Sequence, residues 1–178
     1  MTESHTESRR LTLYFAPAAS FDAHVYRVLR KILKQQARAV VRCIDWAHTD
    51  HLTKTLWTAG GNSFIPHGNS EDGFADKQPI WLTDSNDNPN KASFLITFED
   101  ALIASPKDMP DHQHCLCFAN DNASASTNAN ASASESESDS QRLDSHSQLW
   151  QTSHMYTSVA AYRHQQGEWH SCDKPQLS

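Results

Sequence analysis

The period of the apolar residues changes twice between Leu11 and Asp45, and this constrains the chain more than any other feature. Leu11 to Ala16 (LTLYFA) is a short run of strand formers that stops at Pro17. From Ser20 onward Val25, Val28, Leu29, Ile32 and Leu33 recur at helical spacing, with Ser20 or Asp22 available as N-cap. Arg27, Arg30, Lys31, Lys34 and Arg38 occupy the opposite side of that helix. Ala39 to Asp45 (AVVRCID) then reads as a buried strand, and a second helix runs from about Thr49 to Trp57, closed by Gly60-Gly61. Pro79 to Leu82, Ser93 to Phe98 and His114 to Phe118 supply three more strands. Strands alternating with helices in this way predict βαβ units and a mainly parallel sheet with helices on both faces, an α/β fold.

The chain has 178 residues, 38% of them hydrophobic, with a mean hydropathy of -0.66, a low value for a compact domain. The deficit is local. Residues 119–140 (ANDNASASTNANASASESESDS) contain no large apolar side chain and cannot offset the entropy of ordering, so they are expected to form a disordered tether. Beyond it Leu149, Trp150, Met155, Tyr156, Val159 and Tyr162 fit one helix. The expected organisation is a flexible N-terminus (1–10), an α/β domain (11–118), the insertion (119–140), a C-terminal helix of the same domain (141–170) and a flexible tail (171–178).

The formal net charge of -6 and the pI near 5.9 work against a protein that holds nucleic acid by its overall field. Protein partners are the better expectation. Cys43, Cys115, Cys117 and Cys172 show no disulfide-framework spacing. With a polar start and no run of signal-peptide or membrane length, a soluble cytoplasmic protein that contacts no membrane is expected. His112, His114, Cys115 and Cys117 superficially suggest zinc. On a strand, however, the histidines and the thiols would point to opposite faces, whereas a tetrahedral site needs convergence, so no metal is expected. Nor is there a phosphate-binding glycine loop or a nucleophile elbow, and no nucleophile stands beside a His67–Asp84 pair. A non-enzyme without a cofactor is expected, with a divergent nucleotide-binding α/β enzyme as the remote alternative.

The segment ARAVVRCIDWAHTDHLTKTLWTAGGNSFIPH, from Ala37 to His67, carries a more specific signal. Its buried strand, its helix ending Leu56-Trp57, the spacer TAGGNS and the sequence Phe64-Ile65-Pro66-His67 resemble the chi subunits of bacterial DNA polymerase III. Leu13-Tyr14-Phe15, Pro79-Ile80 and Ser93 to Phe98 fit the same family. The resemblance implies a three-layer α/β/α, Rossmann-like domain that is non-catalytic and serves DNA replication. It also implies two protein partners: the psi subunit of the clamp loader, and the acidic C-terminal tail of single-stranded DNA-binding protein (SSB). DNA would then be contacted only indirectly. A repair helicase using the same surface as psi is the alternative partner.

Residue by residue, the resemblance assigns Trp57, Phe64, Pro66 and His67 to psi. Spacing alone would turn Trp57 inward; the resemblance turns it outward, with Phe64, as an aromatic anchor pair. The SSB tail would dock on the C-terminal helix at Tyr156, Val159, Tyr162 and Arg163. Tyr162-Arg163, Gly167 and Trp169 resemble the family's ending, although the family favours basic residues at positions 156 and 159. Arg163 is the one Lys or Arg between residues 143 and 170, and so the natural partner for a tail carboxylate. The basic stripe of the first helix reads as a solvated face able to steer an acidic partner.

Overall fold

A computed structural model of the chain describes residues 9–59, 64–104, 107, 109, 111–121 and 147–172. Strand β1 (Arg10–Ala16) leads through a 3-10 turn into helix α1 (Phe21–Lys34), strand β2 (Ala39–Arg42) and helix α2 (Trp46–Thr58). Strands β3 (Ile80–Thr83) and β4 (Phe94–Phe98), helix α3 (Glu99–Ala104) and strand β5 (His114–Asn120) follow. A short helix, α4, spans 147–152, and strands β6 (Ser158–Gln165) and β7 (Glu168–Ser171) complete the domain. All seven strands form one sheet in the order β3-β2-β4-β5-β1-β6-β7, parallel throughout except for the β6–β7 hairpin. Among the described residues, no helix is long and apolar enough to cross a membrane.

Burial on both faces explains why the central strands are nearly continuous apolar runs. On one face Val25, Leu29 and Ile32 of α1 and Leu52 and Leu56 of α2 pack on Val41, Ile96 and Phe118. On the other, Leu102 of α3 and Leu149 and Trp150 of α4 pack on Leu11, Leu13, Leu95, Cys115 and Cys117. The result is the expected α/β/α sandwich. The thiols of Cys115 and Cys117 are buried in the second core, while His114 stacks on Phe94, whose neighbours belong to the first.

The structure moves several expected boundaries. Helix α2 starts at Trp46 rather than near Thr49, because the Asp45 carboxylate accepts a hydrogen bond from the His48 N–H (2.8 Å) and caps it. Its expected closure at Gly60-Gly61 lies outside the described residues. Arg10 pairs within β1, and Ala119 and Asn120, expected to open the tether, continue β5 opposite Phe15 and Ala16. Ala119 is fully buried, so the core and not local polarity decides where that strand ends. Residues 122–140 of the expected tether lie outside the described residues, as do 1–8 and 173–178 of the two expected flexible ends.

The largest correction concerns the helix expected over 141–170. Among the described residues only 147–152 are α-helical, with a 3-10 turn at Ser153–Met155. From Ser158 the chain pairs with β1, Leu11 opposite Val159 and Tyr14 opposite Tyr162, and then turns back as β7. Gln166 (φ 50°) and Gly167 (φ 89°) both lie in the left-handed region, as a two-residue primed hairpin turn requires. The spacing of Val159 and Tyr162 suits one face of a helix. The strand prevails because the edge of β1 offers it a full ladder of backbone hydrogen bonds.

Candidate functional site

Trp57 and Phe64 come together at the end of α2. Leu52 and Leu56 anchor the inner side of the helix, which rotates Trp57 outward. Ile65 is likewise fully buried, and its neighbour Phe64 turns to solvent. The two aromatic side chains are 61% and 60% exposed, and their ring centroids lie 5.1 Å apart. Free apolar area of this kind is uncommon for two large rings in contact. The His67 ring lies edge-on to Trp57, with centroids 5.4 Å apart.

The loop carrying Phe64 is held from two sides. Gly68 N–H donates to Ile80 O (3.1 Å) and Leu82 N–H donates to Gly68 O (2.9 Å), which ties the loop to edge strand β3. Asn69 Nδ2 donates to Thr53 Oγ1 (3.2 Å), tying it to α2. His67 is buried, and its Nδ1–H donates to Ile65 O (2.7 Å). Its Nε2 is buried and has no hydrogen-bond partner among the described residues. Pro66 is half-buried between Ile65 and His67. The four residues expected at the psi surface therefore form one cluster, with Trp57 and Phe64 as its exposed faces and His67 as its support.

The four residues expected at the SSB tail do not form a single wall. Strand geometry sends Val159 and Arg163 to one face of β6 and Tyr162 to the other. Tyr156 precedes the strand and is buried, with the Arg9 guanidinium 5.4 Å from its ring centroid. Burial pushes its hydroxyl pKa well up. Arg163 reaches Asp121 in a half-exposed ion pair (2.9 Å), its guanidinium 5.9 Å from the Phe15 ring centroid. Tyr162 stacks on Tyr14 (5.8 Å) on the α1 side.

That α1 side holds a feature not anticipated from the sequence. A groove of about 630 Å³ opens between α1 and the β6–β7 hairpin, lined among others by Tyr14, His24, Arg27, Lys31, Tyr162 and Trp169. Trp169 packs edge-on against Tyr14 (5.0 Å) and His24 (4.8 Å). Burial, then the neighbouring His164 and Arg27, lowers the His24 imidazole pKa. The groove depends on the hairpin, and the one local signal for it was Gln166-Gly167.

Comparison with known proteins bears on the family of the chain. The family model described as "DNA polymerase III chi subunit, HolC" matches residues 9–135. A curated relative from Rickettsia prowazekii (strain Madrid E), "Probable DNA polymerase III subunit chi", is 33% identical over 101 residues, 57% of this chain. The match spans 58% of that relative's own length. With a family match over most of its length, the chain belongs to the chi subunit family of DNA polymerase III.

Proposed function

We propose that this chain is a non-catalytic adaptor that joins the psi subunit of the clamp loader to the C-terminal tail of SSB. The exposed Trp57–Phe64 pair is the observation that carries this reading. Two rigid aromatic faces, one at the end of α2 and one on a loop pinned to both helix and sheet, cost little entropy to bury, which is how interface anchors work. Arg163 fits the carboxylate end of an acidic tail, with Val159 on the same face of β6 as the apolar contact. Because Arg163 already pairs with Asp121, the tail has to displace or share that carboxylate.

The test is reconstitution. The purified chain is mixed with psi and with SSB, and complexes are separated by size exclusion. A ternary complex is expected, from which SSB lacking its C-terminal tail drops out while psi remains. Retention of tail-less SSB, or failure to co-elute with psi, contradicts the reading.

A further inference from the structure

We propose that the groove between α1 and the β6–β7 hairpin binds single-stranded nucleic acid directly, its phosphates along α1 and its bases against the aromatic floor. The argument begins with charge. Arg27, Arg30, Lys31 and Lys34 all line the groove, and each is exposed. From Arg27 to Lys34 is two helical turns, about 10 Å. No carboxylate is among the described residues that line the groove, and none of the four cations forms an ion pair among the described residues. Like charges one turn apart on a helix repel each other, so an anion that spans several of them is favoured by each. The chain's net charge of -6 does not oppose this at short range, because exposed charges beyond about 10 Å are largely screened.

The second observation is the floor. Tyr14, Tyr162, His164 and Trp169, each partly exposed, line it above the buried rings of Phe118 and His24, and Val28 is the one Val, Leu, Ile or Met side chain among the lining residues. Tyr14 stacks on Phe118 (5.3 Å) and on Tyr162 (5.8 Å), and Trp169 closes the end against His164 (5.0 Å). A basic wall beside several partly exposed aromatic rings is the chemistry of single-strand binding. The cations follow the backbone, and rings accept bases of any sequence. A duplex keeps its bases stacked inside and can use only the cations. An acidic peptide can also use the cations, but it gains less from a floor made almost wholly of rings.

The experiment is a fluorescence-anisotropy titration of a short labelled oligothymidylate with the full chain across a series of salt concentrations. Three or four phosphate contacts predict that log K falls with log salt at a slope of about -2 to -3. Lys31→Glu combined with Lys34→Glu should weaken binding at least tenfold and flatten the slope. Trp169→Ala should weaken binding while leaving the slope unchanged, because stacking releases no counterions. Melting temperatures of all variants are measured alongside, and Lys31→Gln combined with Lys34→Gln replaces the reversal pair if that pair unfolds. Unaltered oligonucleotide affinity in folded groove variants overturns the proposal. So does equal affinity for a duplex of the same length, or loss in those variants of acidic SSB-tail binding alone.

Discussion

Truncating Trp57 separates an interface anchor from a core residue, and the structure sets the size of both effects. A tryptophan presents on the order of 250 Å² for burial. With 61% of it exposed, about 150 Å² remains for a partner to cover and about 100 Å² is already buried in the free protein. At about 25 cal/mol per Å², complete cover contributes about 4 kcal/mol to binding, and the buried share at most about 2.5 kcal/mol to folding. The second figure is an upper bound, since the unfolded chain already hides part of that surface. Against a typical stability of about 5–15 kcal/mol, Trp57→Ala should stay folded. Affinity for psi should fall by about 2 kcal/mol or more, roughly thirtyfold. Isothermal titration calorimetry with psi measures the first effect, and urea denaturation followed by circular dichroism measures the second. Wild-type affinity for psi in a folded variant refutes the anchor, and an unfolded variant shows that the ring belongs to the core. Phe64→Ala, at 60% exposure, should behave the same way.

Other expectations follow from single contacts. Arg163→Ala should weaken binding of an SSB-tail peptide by about 1.5–3 kcal/mol, the usual value of a charge-assisted hydrogen bond. Asp121→Asn should strengthen it by releasing the guanidinium, and a peptide titration in which neither variant moves places the tail elsewhere. Stability should also decline on acidification. Burial holds the His24, His48 and His114 imidazoles below their ordinary pKa, helped at His24 by His164 and Arg27 and at His114 by Arg10. The unfolded chain therefore binds more protons once the pH falls below about 6.5, the usual imidazole value, and unfolding is favoured until the lower folded values are passed. A melting temperature that rises between pH 7.5 and 5.5 contradicts this. Finally, burial pushes the Cys43 and Cys115 thiols up to about 12, and Cys117 well up, so these three should resist a thiol reagent at pH 8 until the protein is denatured. Prompt labelling of any of them in the native state, read by mass spectrometry, counts against the packing described.

Local patterning was enough to place β1, α1, β2 and α2, because each stretch buries one repeating set of side chains whatever lies beside it. The run LTLYFA became β1, Val25, Leu29 and Ile32 became the inner side of α1, and AVVR became a fully buried strand, which ends at Arg42 short of the expected Asp45 and leaves Ile44 exposed. The chi resemblance was legible for a related reason, since Leu56-Trp57 and Phe64-Ile65-Pro66-His67 are two short segments close together in the chain. Spacing alone did not decide that Trp57 faces outward. Trp57 turns outward because Leu52 and Leu56 form the buried side of α2, a choice between faces that packing on the sheet makes.

The C-terminal region belongs to the tertiary structure. Val159 and Tyr162 satisfy helical spacing as well as they satisfy a strand, and Gln166-Gly167 is a weaker hairpin signal than Asn-Gly. What makes residues 158–165 a strand is the free edge of β1, a partner whose first residue, Arg10, pairs with Ser158. That single non-local pairing sends Arg163 to Asp121 and Tyr162 to Tyr14, on opposite faces of the sheet. It also brings Trp169 within 4.8 Å of His24 and so builds a basic, aromatic groove from segments far apart in the chain. A sequence determines its elements where the forces are local. Here the long-range backbone ladder decided which side chains meet.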